Sequence, residues 1–335
     1  MSLKIAINGF GRIGKSFLRA IIKDDNAKKN LSIIAINVGP SCPDNLAAFF
    51  KYDSTMGNFN GPVEHRDNKL IVDGQEIKII AEPNPEKLPW KELDIDWVVE
   101  ASGKFTNKES AMAHITAGSK KVLITAPATD EDITIIPGVN DSSYDKTNHN
   151  IVSLGSCTTN CFAPIVKVLK ENFDLVAGLM TTIHAYTNNQ ALLDSEHKDA
   201  RRGRAAAINM IPTSTGADKV ITKIYPDLQG KIQGVSVRVP IPAVSLVDFT
   251  FTTKQQLSPE VINKTFETAQ NNDLKNILLY NTEPLVSSDF IGSEYSCIID
   301  GPMTRANGTI GKVFGWYDNE FGYSSRLKDF LLHNC

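Results

Sequence analysis

The chain has 335 residues, enough for two domains that each bury a hydrophobic core. Apolar residues make up 41% and charged residues 22%, and the formal net charge of -3 excludes a long-range electrostatic attraction to nucleic acid or to an anionic membrane. No apolar run is long enough to cross a bilayer, and the opening MSLKIAING lacks the charged leader and apolar core of a signal peptide. We therefore expect a cytoplasmic protein.

The cysteines are odd in number and lack paired Cys-x-x-Cys spacing; they are Cys42, Cys157, Cys161, Cys297 and Cys335. This arrangement argues against a disulfide framework and against a zinc site. The cysteine pattern therefore favours reduced thiols in a cytoplasmic chain of the size of an enzyme, without a structural metal.

The first half of the chain alternates strand and helix patterns. Residues 3–9 form a short apolar run ending in glycine, and Ile13, Phe17 and Ile21 follow at four-residue spacing, which is typical of a helix packing on a sheet. Such strands alternating with helices predict a parallel sheet covered on both faces. We assign this pattern to a first domain, residues 1–156. Its further predicted elements are strands in 31–37, 95–103 and 120–128 and a helix around 109–118.

From residue 157 onward the pattern changes. A helix is predicted over 157–173, and the apolar runs after it have the length, the β-branched content and the partial alternation of strands in a mainly antiparallel sheet. These runs are 176–186, 231–240 and 243–253. We expect an α+β domain over 157–319, with helices on one face of its sheet. The amphipathic tail, 320–335, is expected to pack back on the first domain.

Three glycines, Gly9, Gly11 and Gly14, form G-x-G-x-x-G between the first predicted strand and the first predicted helix. The first permits a tight turn, the second lets the backbone approach a pyrophosphate, and the third lets helix and strand pack closely. Such a turn can be purely structural, but the strand–turn–helix context favours a Rossmann-type dinucleotide-binding domain in an α/β fold. Arg12 is expected along the pyrophosphate, with a solvated arginine as the alternative.

Cys157 stands where the helix of the second domain is predicted to begin, with Ser156 as its N-cap and Thr158 in its first turn. The positive end of the helix dipole favours a thiolate there. A thiolate is a nucleophile suited to aldehydes and acyl carbonyls. Cys161, one turn later, is expected to be a buried structural thiol.

A cysteine nucleophile needs a base, and His184 is the best placed of the six histidines because it lies where a predicted strand runs into a polar loop. The others lie in polar or terminal stretches, on a predicted helix or among charges; they are His65, His149, His333, His114 and His197. From the residues alone, His184 remains open between a catalytic base and a satisfied core histidine.

Five segments together resemble phosphorylating glyceraldehyde-3-phosphate dehydrogenase over residues 4–332; they are INGFGRIG, SCTTNC, HAYTN, HKDARRGRAAAINMIPTSTGA and WYDNEFGYS. The resemblance implies that Cys157 is the nucleophile and His184 its general base and ion-pair partner. It implies oxidative phosphorylation of D-glyceraldehyde 3-phosphate to 1,3-bisphosphoglycerate, and the reverse, through a cysteine thioester with hydride transfer to NAD(P), in glycolysis and gluconeogenesis. It also implies a homotetramer.

The same resemblance implies the groups that bind phosphate and cofactor. The attacking inorganic phosphate would be received by Ser156, Thr158, Thr215 and Gly216. The substrate phosphate would be held by Thr187 and Arg238, whose hydroxyl and guanidinium suit phosphate geometry. The dinucleotide would contact Gly9, Gly11, Arg12, Ile13, Gly14, Asn37, Val38, Thr125, Asn319 and Tyr323.

One position departs from the pattern of NAD-specific members of that family. Asn37 is followed by Val38, where those members carry an aspartate that binds the adenosine ribose. A carboxylate there would repel a 2′-phosphate of about -1.5 to -2 charges, so its absence removes an obstacle to NADP. Ser195 leaves room near the same site, whereas Glu196 would restore repulsion if it points there. We expect NAD or NADP as the cofactor, and the missing acidic residue at Val38 favours acceptance of NADP.

Two alternatives to this function remain. One is an erythrose-4-phosphate dehydrogenase, which would use the same scaffold and the same Cys–His pair. The other is a non-catalytic binding protein, which would keep the fold of an enzyme but have lost its catalytic activity. The basic segment 198–204 would suit nucleic acid, but the resemblance places it in a loop at a subunit interface. We therefore expect no nucleic-acid partner and no membrane partner.

Overall fold

The computed structural model describes residues 2–334, so the thiol of Cys335 lies outside the described residues. Contacts divide the chain into two compact units. Unit 1 contains the chain up to Ile135, Ser142–Gly155 and the chain from Ser324, and unit 2 contains Ile136–Asp141 and Ser156–Tyr323. Among the described residues, every helix is too short or too polar to cross a membrane.

Unit 1 is built on a nine-stranded sheet with the order β3-β4-β5-β2-β1-β6-β7-β9-β8. Its elements in chain order are β1 (Leu3–Asn8), α1 (Arg12–Lys23), α2 (Asp25–Asn30), β2 (Leu31–Asn37), α3 (Leu46–Lys51), β3 (Val63–Arg66), β4 (Lys69–Val72), β5 (Gln75–Ile80), β6 (Trp97–Glu100), α4 (Lys108–Thr116), β7 (Lys121–Ile124), β8 (Ile133–Thr134) and β9 (Ile151–Ser153). From β5 to β8 all neighbouring strands are parallel, which confirms the predicted parallel sheet.

The antiparallel edge formed by β3, β4 and β5 is an addition that the strand–helix alternation did not predict. Its two hairpin turns place Asp67 and Asn68, and then Asp73 and Gly74, at positive φ. Two consecutive residues at positive φ suit the tight turns of two-residue hairpins. The Asp73–Gly74 pair was therefore a sequence signal for this edge.

The order of the sheet reverses between β1 and β6, which are direct neighbours although β2 follows β1 in the chain. Open sheets of this kind bind ligands beyond the carboxyl ends of the strands at such a switch point. In unit 1 these ends are Asn8 of β1 and Glu100 of β6, which are register partners.

Unit 2 contains an eight-stranded sheet with the order β11-β12-β10-β13-β17-β15-β14, and β16 pairs with β17. Its elements are α5 (Cys157–Phe173), β10 (Leu175–Ala185), β11 (Ile211–Ser214), α6 (Ala217–Ile224), β12 (Ile232–Val239), β13 (Ser245–Thr253), α7 (Pro259–Asn271), β14 (Leu278–Asn281), β15 (Cys297–Asp300), β16 (Arg305–Asn307) and β17 (Ile310–Tyr317). Only β10–β12 and β14–β15 are parallel among the described pairs, so the sheet is mainly antiparallel as predicted.

Helix α5 lies in the core of unit 2. Phe162 on this helix meets Phe249 of β13 edge to face, with ring centroids 4.8 Å apart. Both rings are fully buried, and aromatic pairs in this geometry add to the free energy gained from burial. Because α5 is anchored along most of its length, its first residue, Cys157, is held in a defined place.

The last helix, α8 (Phe321–His333), belongs to unit 1 from Ser324 onward. Within unit 1, Phe330 packs edge to face on Trp97 with centroids 5.7 Å apart, and Lys328 Nζ lies 2.7 Å from Asp24 Oδ2. Short 3-10 helices occupy Pro85–Lys87, Asp141–Ser143, Pro226–Leu228, Ser287–Phe290 and Gly301–Met303.

Candidate active site

The glycine turn of unit 1, residues 9–14, leaves room for a phosphate group beside its backbone. Gly9 has a φ of 97°, and a Cβ there would lie 2.5 Å from Ser102 N. A Cβ on Gly14 would lie 2.3 Å from the carbonyl oxygen of Gly9, whereas a Cβ on Gly11 would meet no atom within 4 Å. The outer glycines are thus required by packing, and the middle one faces open space where a pyrophosphate can approach the backbone. These residues fit a dinucleotide.

Arg12, the first residue of α1, forms an ion pair with Asp53, with Nη1 2.5 Å from Oδ2. Burial works to raise the pKa of Asp53, but the N–H groups of Met56 and Thr55 and the Arg12 guanidinium outweigh it and lower the pKa to about 2. The freely solvated arginine considered as an alternative is therefore not what the structure contains. Contact of Arg12, or of the neighbouring Ile13, with a pyrophosphate stays a prediction.

At the end of β2, Asn37 is buried and organises the loop that follows. Its Oδ1 accepts from Glu82 N at 3.0 Å and Gly39 N at 3.4 Å, and its Nδ2 donates to Asn8 Oδ1 at 2.7 Å. The next residue, Val38, is half-buried and its N–H donates to the Ile80 carbonyl. The loop that was expected to decide between NAD and NADP is thus held by a buried amide.

Thr125, also predicted to contact the cofactor, follows β7. Its backbone N–H and its hydroxyl both donate to the Glu100 carbonyl, at 3.1 and 3.0 Å. Hydrogen bonding to Glu100 explains why a hydroxyl-bearing residue suits this position, and it ties the end of β7 to the end of β6.

The predicted nucleophile and base of unit 2 are adjacent. Cys157 Sγ lies 3.5 Å from His184 Nε2. The other ring nitrogen, Nδ1, lies 2.7 Å from the Ala185 carbonyl oxygen, which can only accept, so Nδ1 carries the proton. Nε2 is then the unprotonated nitrogen and can accept the thiol proton. Ser156 caps α5 as predicted, since its hydroxyl accepts from Thr159 N at 3.0 Å.

Burial shifts the pKa values of both members of this pair. Burial raises the pKa of the Cys157 thiol, and the Arg238 charge and hydrogen bonds at Thr158 only partly offset it. Burial, followed by the Arg238 charge, lowers the pKa of His184 to about 3. Both directions favour an uncharged thiol beside an uncharged imidazole at neutral pH. Burial thus acts on the pKa of Cys157 against the helix N-terminus, which favours the thiolate.

Arg238 lies beside the Cys157–His184 pair and contacts Thr187, the other residue predicted to bind the substrate phosphate. Its Nη1 donates to Thr187 Oγ1 at 3.1 Å and to the Ala185 carbonyl at 3.2 Å. Its Nε is buried and has no hydrogen-bond partner among the described residues. The guanidinium Nη1 and the Thr187 hydroxyl lie in contact, so they offer a positive charge and a hydroxyl at one place. Arg238 and Thr187 thus fit a phosphate group.

Tyr317 is a site residue to which the sequence analysis gave no role. Its hydroxyl lies 2.8 Å from Thr158 Oγ1 and 2.8 Å from Thr182 Oγ1, and its ring meets the His184 ring edge to face. All three residues are buried. The hydroxyl of Thr158, a residue predicted to bind the attacking phosphate, is therefore hydrogen-bonded to Tyr317. The position of Tyr317 inside WYDNEFGY was the available signal.

Thr215 and Gly216, the other predicted phosphate ligands, occupy the turn between β11 and α6. Gly216 is the N-cap of α6, and a Cβ on it would meet no atom within 4 Å. Arg202 reaches the strand before this turn, donating to Thr213 Oγ1 at 3.0 Å and to the Ser214 carbonyl at 3.2 Å.

Arg202 was overlooked because its basic segment was assigned to a subunit interface. Its charge also acts to lower the pKa of His184 and of Arg238. A guanidinium that influences the catalytic pair and also reaches the Thr215 turn is placed to attract an anion.

Asn319 and Tyr323, the predicted nicotinamide contacts, lie in the segment between β17 and the residues of α8 that belong to unit 1. The Ala185 N–H donates to Ser245 Oγ at 3.1 Å, and Ser245 Oγ donates to Asn319 Oδ1 at 3.4 Å. Burial raises the pKa of Tyr323 well above its ordinary value, with a further contribution from Cys157. Asn319 is therefore linked to the strand end that carries His184, and Tyr323 stays protonated near the cysteine.

Residues 3–108 match the family model for the NAD binding domain of glyceraldehyde 3-phosphate dehydrogenase, and residues 156–319 match the model for its C-terminal domain. Glyceraldehyde-3-phosphate dehydrogenase 2 of Streptomyces avermitilis is 47% identical over 99% of this chain and 98% of its own length. Glyceraldehyde-3-phosphate dehydrogenase 1 of Bacillus cereus is 48% identical, with 98% of each chain covered. Glyceraldehyde-3-phosphate dehydrogenase of Geobacillus stearothermophilus is 47% identical over 99% and 98%. The chain belongs to the glyceraldehyde-3-phosphate dehydrogenase family.

Proposed function

We propose that this chain converts D-glyceraldehyde 3-phosphate and inorganic phosphate to 1,3-bisphosphoglycerate, and catalyses the reverse reaction, as an NAD(P)-dependent phosphorylating dehydrogenase of glycolysis and gluconeogenesis. The observation that carries the proposal is the contact of Cys157 Sγ with His184 Nε2 at 3.5 Å, with the proton of the ring held on Nδ1 by the Ala185 carbonyl. This is the geometry of a thiol with an adjacent base that can accept its proton.

In the first step Cys157 Sγ attacks the aldehyde carbon while His184 Nε2 takes the thiol proton and returns it to the carbonyl oxygen, which gives a hemithioacetal. His184 then takes the hydroxyl proton as the C–H bond breaks. A bound nicotinamide supplies the hydride acceptor. The product on Cys157 is a thioester, and a phosphate oxygen displaces the sulfur as His184 returns a proton to it.

The phosphate groups of this reaction need two anion sites. Arg238 and Thr187 are suited to the substrate phosphate because the guanidinium Nη1 lies 3.1 Å from the Thr187 hydroxyl oxygen, which places a cation and a hydroxyl side by side. For the attacking phosphate we propose Ser156, the backbone of Thr158, Thr215 and Gly216, with Arg202 as an added cation. The contacts that Arg202 makes with Thr213 and Ser214 support its inclusion.

A nicotinamide dinucleotide is the cofactor class of this family, and the glycine turn fits it. We propose that the domain of residues 1–156 binds the dinucleotide and that the domain of 157–319 carries out the chemistry. We further propose that NADP is accepted alongside NAD. Val38 supports this second proposal, because it presents no carboxylate where a 2′-phosphate would need room.

The experiment compares initial rates of the purified chain on glyceraldehyde 3-phosphate with NAD and with NADP at matched concentrations, with and without inorganic phosphate, and includes Cys157→Ser as the control. Phosphate-dependent turnover that the variant lacks supports the function. Phosphate-independent turnover would favour an erythrose-4-phosphate dehydrogenase, and no turnover by the wild type would favour a binding protein. No detectable rate with NADP would contradict the proposed cofactor breadth alone.

We also propose a cytoplasmic homotetramer, as the resemblance implied. Exposed apolar side chains in unit 2 support subunit contacts: Leu179 on β10 is 67% exposed, Val235 on the neighbouring β12 is 54% exposed, and Leu192 and Leu193 on the loop after β10 are 78% and 75% exposed. Apolar surface of this kind commonly marks an interface. Light scattering after gel filtration should give four chain masses, and a monomer would contradict the proposal.

A further inference from the structure

Unit 1 contains a buried carboxylate that the proposed chemistry does not use. Glu100, the last residue of β6, is 1% exposed, and among residues 2–334 no lysine or arginine pairs with it. A buried carboxylate is costly unless its oxygens are fully hydrogen-bonded. Hydrogen bonds to the Glu100 carboxylate must therefore offset the cost of its burial.

Four donors surround the Glu100 carboxylate. Oε1 accepts from Ser102 N at 2.8 Å and from the Ser102 hydroxyl, and Oε2 accepts from Asn8 Nδ2 at 2.5 Å and from His114 Nε2 at 3.0 Å. The histidine is a donor because Trp90 Nε1, which can only donate, points at its Nδ1 at 3.1 Å. His114 therefore donates through Nε2, and each oxygen of Glu100 meets two donors.

These donors stand at the switch point of the sheet. Asn8 and Glu100 are register partners at the carboxyl ends of β1 and β6, the two strands between which the sheet order reverses. Ser102 N is the atom that a Cβ on Gly9 would strike at 2.5 Å. By holding Ser102 and Asn8, Glu100 keeps the turn after β6 tightly packed against the glycine turn after β1.

The same carboxylate sets the direction of a hydrogen-bond chain that reaches the end of β2. Because Asn8 must turn Nδ2 toward Glu100, its Oδ1 faces Asn37 and accepts from Asn37 Nδ2 at 2.7 Å. Asn37 must then present its own Oδ1 to the N–H groups of Gly39 and Glu82. Asn37 Nδ2 also donates to the Glu82 carbonyl at 2.9 Å, so Glu82 and the acceptor-only Glu100 together set the orientation of the Asn37 amide and of the loop after β2.

We propose that Glu100 is a positioning residue of the dinucleotide site, which shapes the floor beneath the glycine turn and, through Asn8 and Asn37, the loop at Val38. The inference rests on the proposed function, because it concerns the same cofactor. Glu100→Gln replaces one acceptor oxygen by an NH₂ donor. Where that NH₂ faces Asn8, two donors meet unless the amides of Asn8 and Asn37 turn over, and a turned Asn37 loses its hydrogen bonds with Gly39 N, Glu82 N and the Glu82 carbonyl.

The experiment measures the dissociation constants of NAD and NADP directly, by quenching of tryptophan fluorescence in the full-length wild type and in E100Q. We expect E100Q to weaken dinucleotide binding about tenfold, since a lost hydrogen bond at a buried charged group has an effect of that size. At saturating dinucleotide kcat should stay within about threefold, and the alkylation rate of Cys157 should be unchanged. The milder variant His114→Gln, which retains an amide donor toward Glu100, should weaken binding about twofold to threefold.

Leu123→Ala is the matched control, because Leu123 is a fully buried apolar residue of β7 in the same sheet. It should lower Tm without weakening NAD binding. The proposal is overturned if E100Q binds NAD as the wild type does, or if L123A weakens binding as much as E100Q does at an equal loss of Tm. If E100Q does not fold, H114Q decides: unchanged NAD binding in H114Q overturns the proposal. A wild type that binds neither dinucleotide would instead contradict the proposed function.

Discussion

His184 and Arg238 are register partners on the neighbouring parallel strands β10 and β12. Partners in register place their side chains on the same face of a sheet, so the base lies beside a guanidinium. Second to burial, that positive charge is what lowers the pKa of His184 to about 3. The imidazole therefore stays uncharged at neutral pH, and the pair combines a neutral base with a fixed cation that can hold a phosphate.

Replacing the base should slow the chemistry far more than it changes binding. His184→Asn removes the acceptor that faces Cys157 Sγ, and we expect kcat to fall about 10²- to 10⁴-fold, the range for loss of a general base. Steady-state kinetics with glyceraldehyde 3-phosphate gives the measurement. His333→Gln, at an exposed position, is the matched control and should be neutral. A fall in kcat of less than tenfold for H184N would contradict the role of His184.

Arg238→Lys tests the substrate-phosphate site. Lysine keeps the charge but loses the guanidinium Nη1 that donates to Thr187 and to the Ala185 carbonyl. We expect KM for glyceraldehyde 3-phosphate to rise about 10- to 100-fold, with a smaller effect on kcat. Arg66→Lys, at a side chain 66% exposed, is the control. If R238K left KM unchanged, the substrate phosphate would have to be bound elsewhere.

Val38→Asp should narrow the cofactor range. A carboxylate at this half-buried position would repel a 2′-phosphate, so kcat/KM with NADP should fall about 10- to 100-fold while kcat/KM with NAD changes less than about threefold. Val38→Asn is of similar size without the charge, and separates repulsion from packing. Equal losses with both cofactors in V38D would argue that Val38 lies away from the ribose.

Asp53 predicts an acid-dependent part of the stability. Its pKa is lowered to about 2 in the folded chain, so its contribution is present above the unfolded pKa, near 4, and is lost as the pH falls through 2. A shift of this size corresponds to at most about 2 kcal/mol, and solvent screening of the partly exposed Arg12 reduces it. Tm of the wild type should therefore exceed that of Asp53→Asn at pH 7, and the two should converge near pH 2. Asp25→Asn, at a side chain 90% exposed, should show no such trend.

Tyr317→Phe should destabilise unit 2. It removes the hydroxyl that bridges Thr158 and Thr182 and leaves two buried hydroxyls without that partner, which costs about 1 to 3 kcal/mol. Urea unfolding measures the loss. Tyr52→Phe, at a side chain 58% exposed, is the control. A stability of Y317F equal to that of the control would mean that the two threonines find other partners.

Elements with local signals could be predicted closely from the sequence. The helix predicted over 157–173 is found as Cys157–Phe173 with Ser156 at its N-cap, because the cap and the apolar pattern lie within the segment itself. The strand predicted over 31–37 also matches β2. The edge β3–β4–β5 was missed although Asp73–Gly74 marks one of its turns, since its short strands lie outside the strand–helix alternation.

The site residues also divide into those that a local sequence pattern identifies and those that depend on distant partners. The glycine turn and Cys157 could be found from residue types and spacing, whereas His184 needed the family resemblance. Residues that depend on distant partners were missed: Tyr317 lies 159 positions from Thr158, and His114, set aside as a helix residue, lies against Glu100 in the buried network. Strand register and helix packing bring these partners together, and no local pattern encodes either.

By itself the sequence determined the residue types of the reaction and the local frames that carry them: a glycine turn between strand and helix, a capped helix that begins at Cys157, and a strand that ends beside His184. Only the tertiary structure decided how burial shifts the pKa values of Cys157 and His184. The helix N-terminus alone favoured a thiolate, but burial raises the pKa of Cys157 and lowers that of His184. The physical reason is that desolvation depends on the chain segments that pack around a group, and these are distant in sequence.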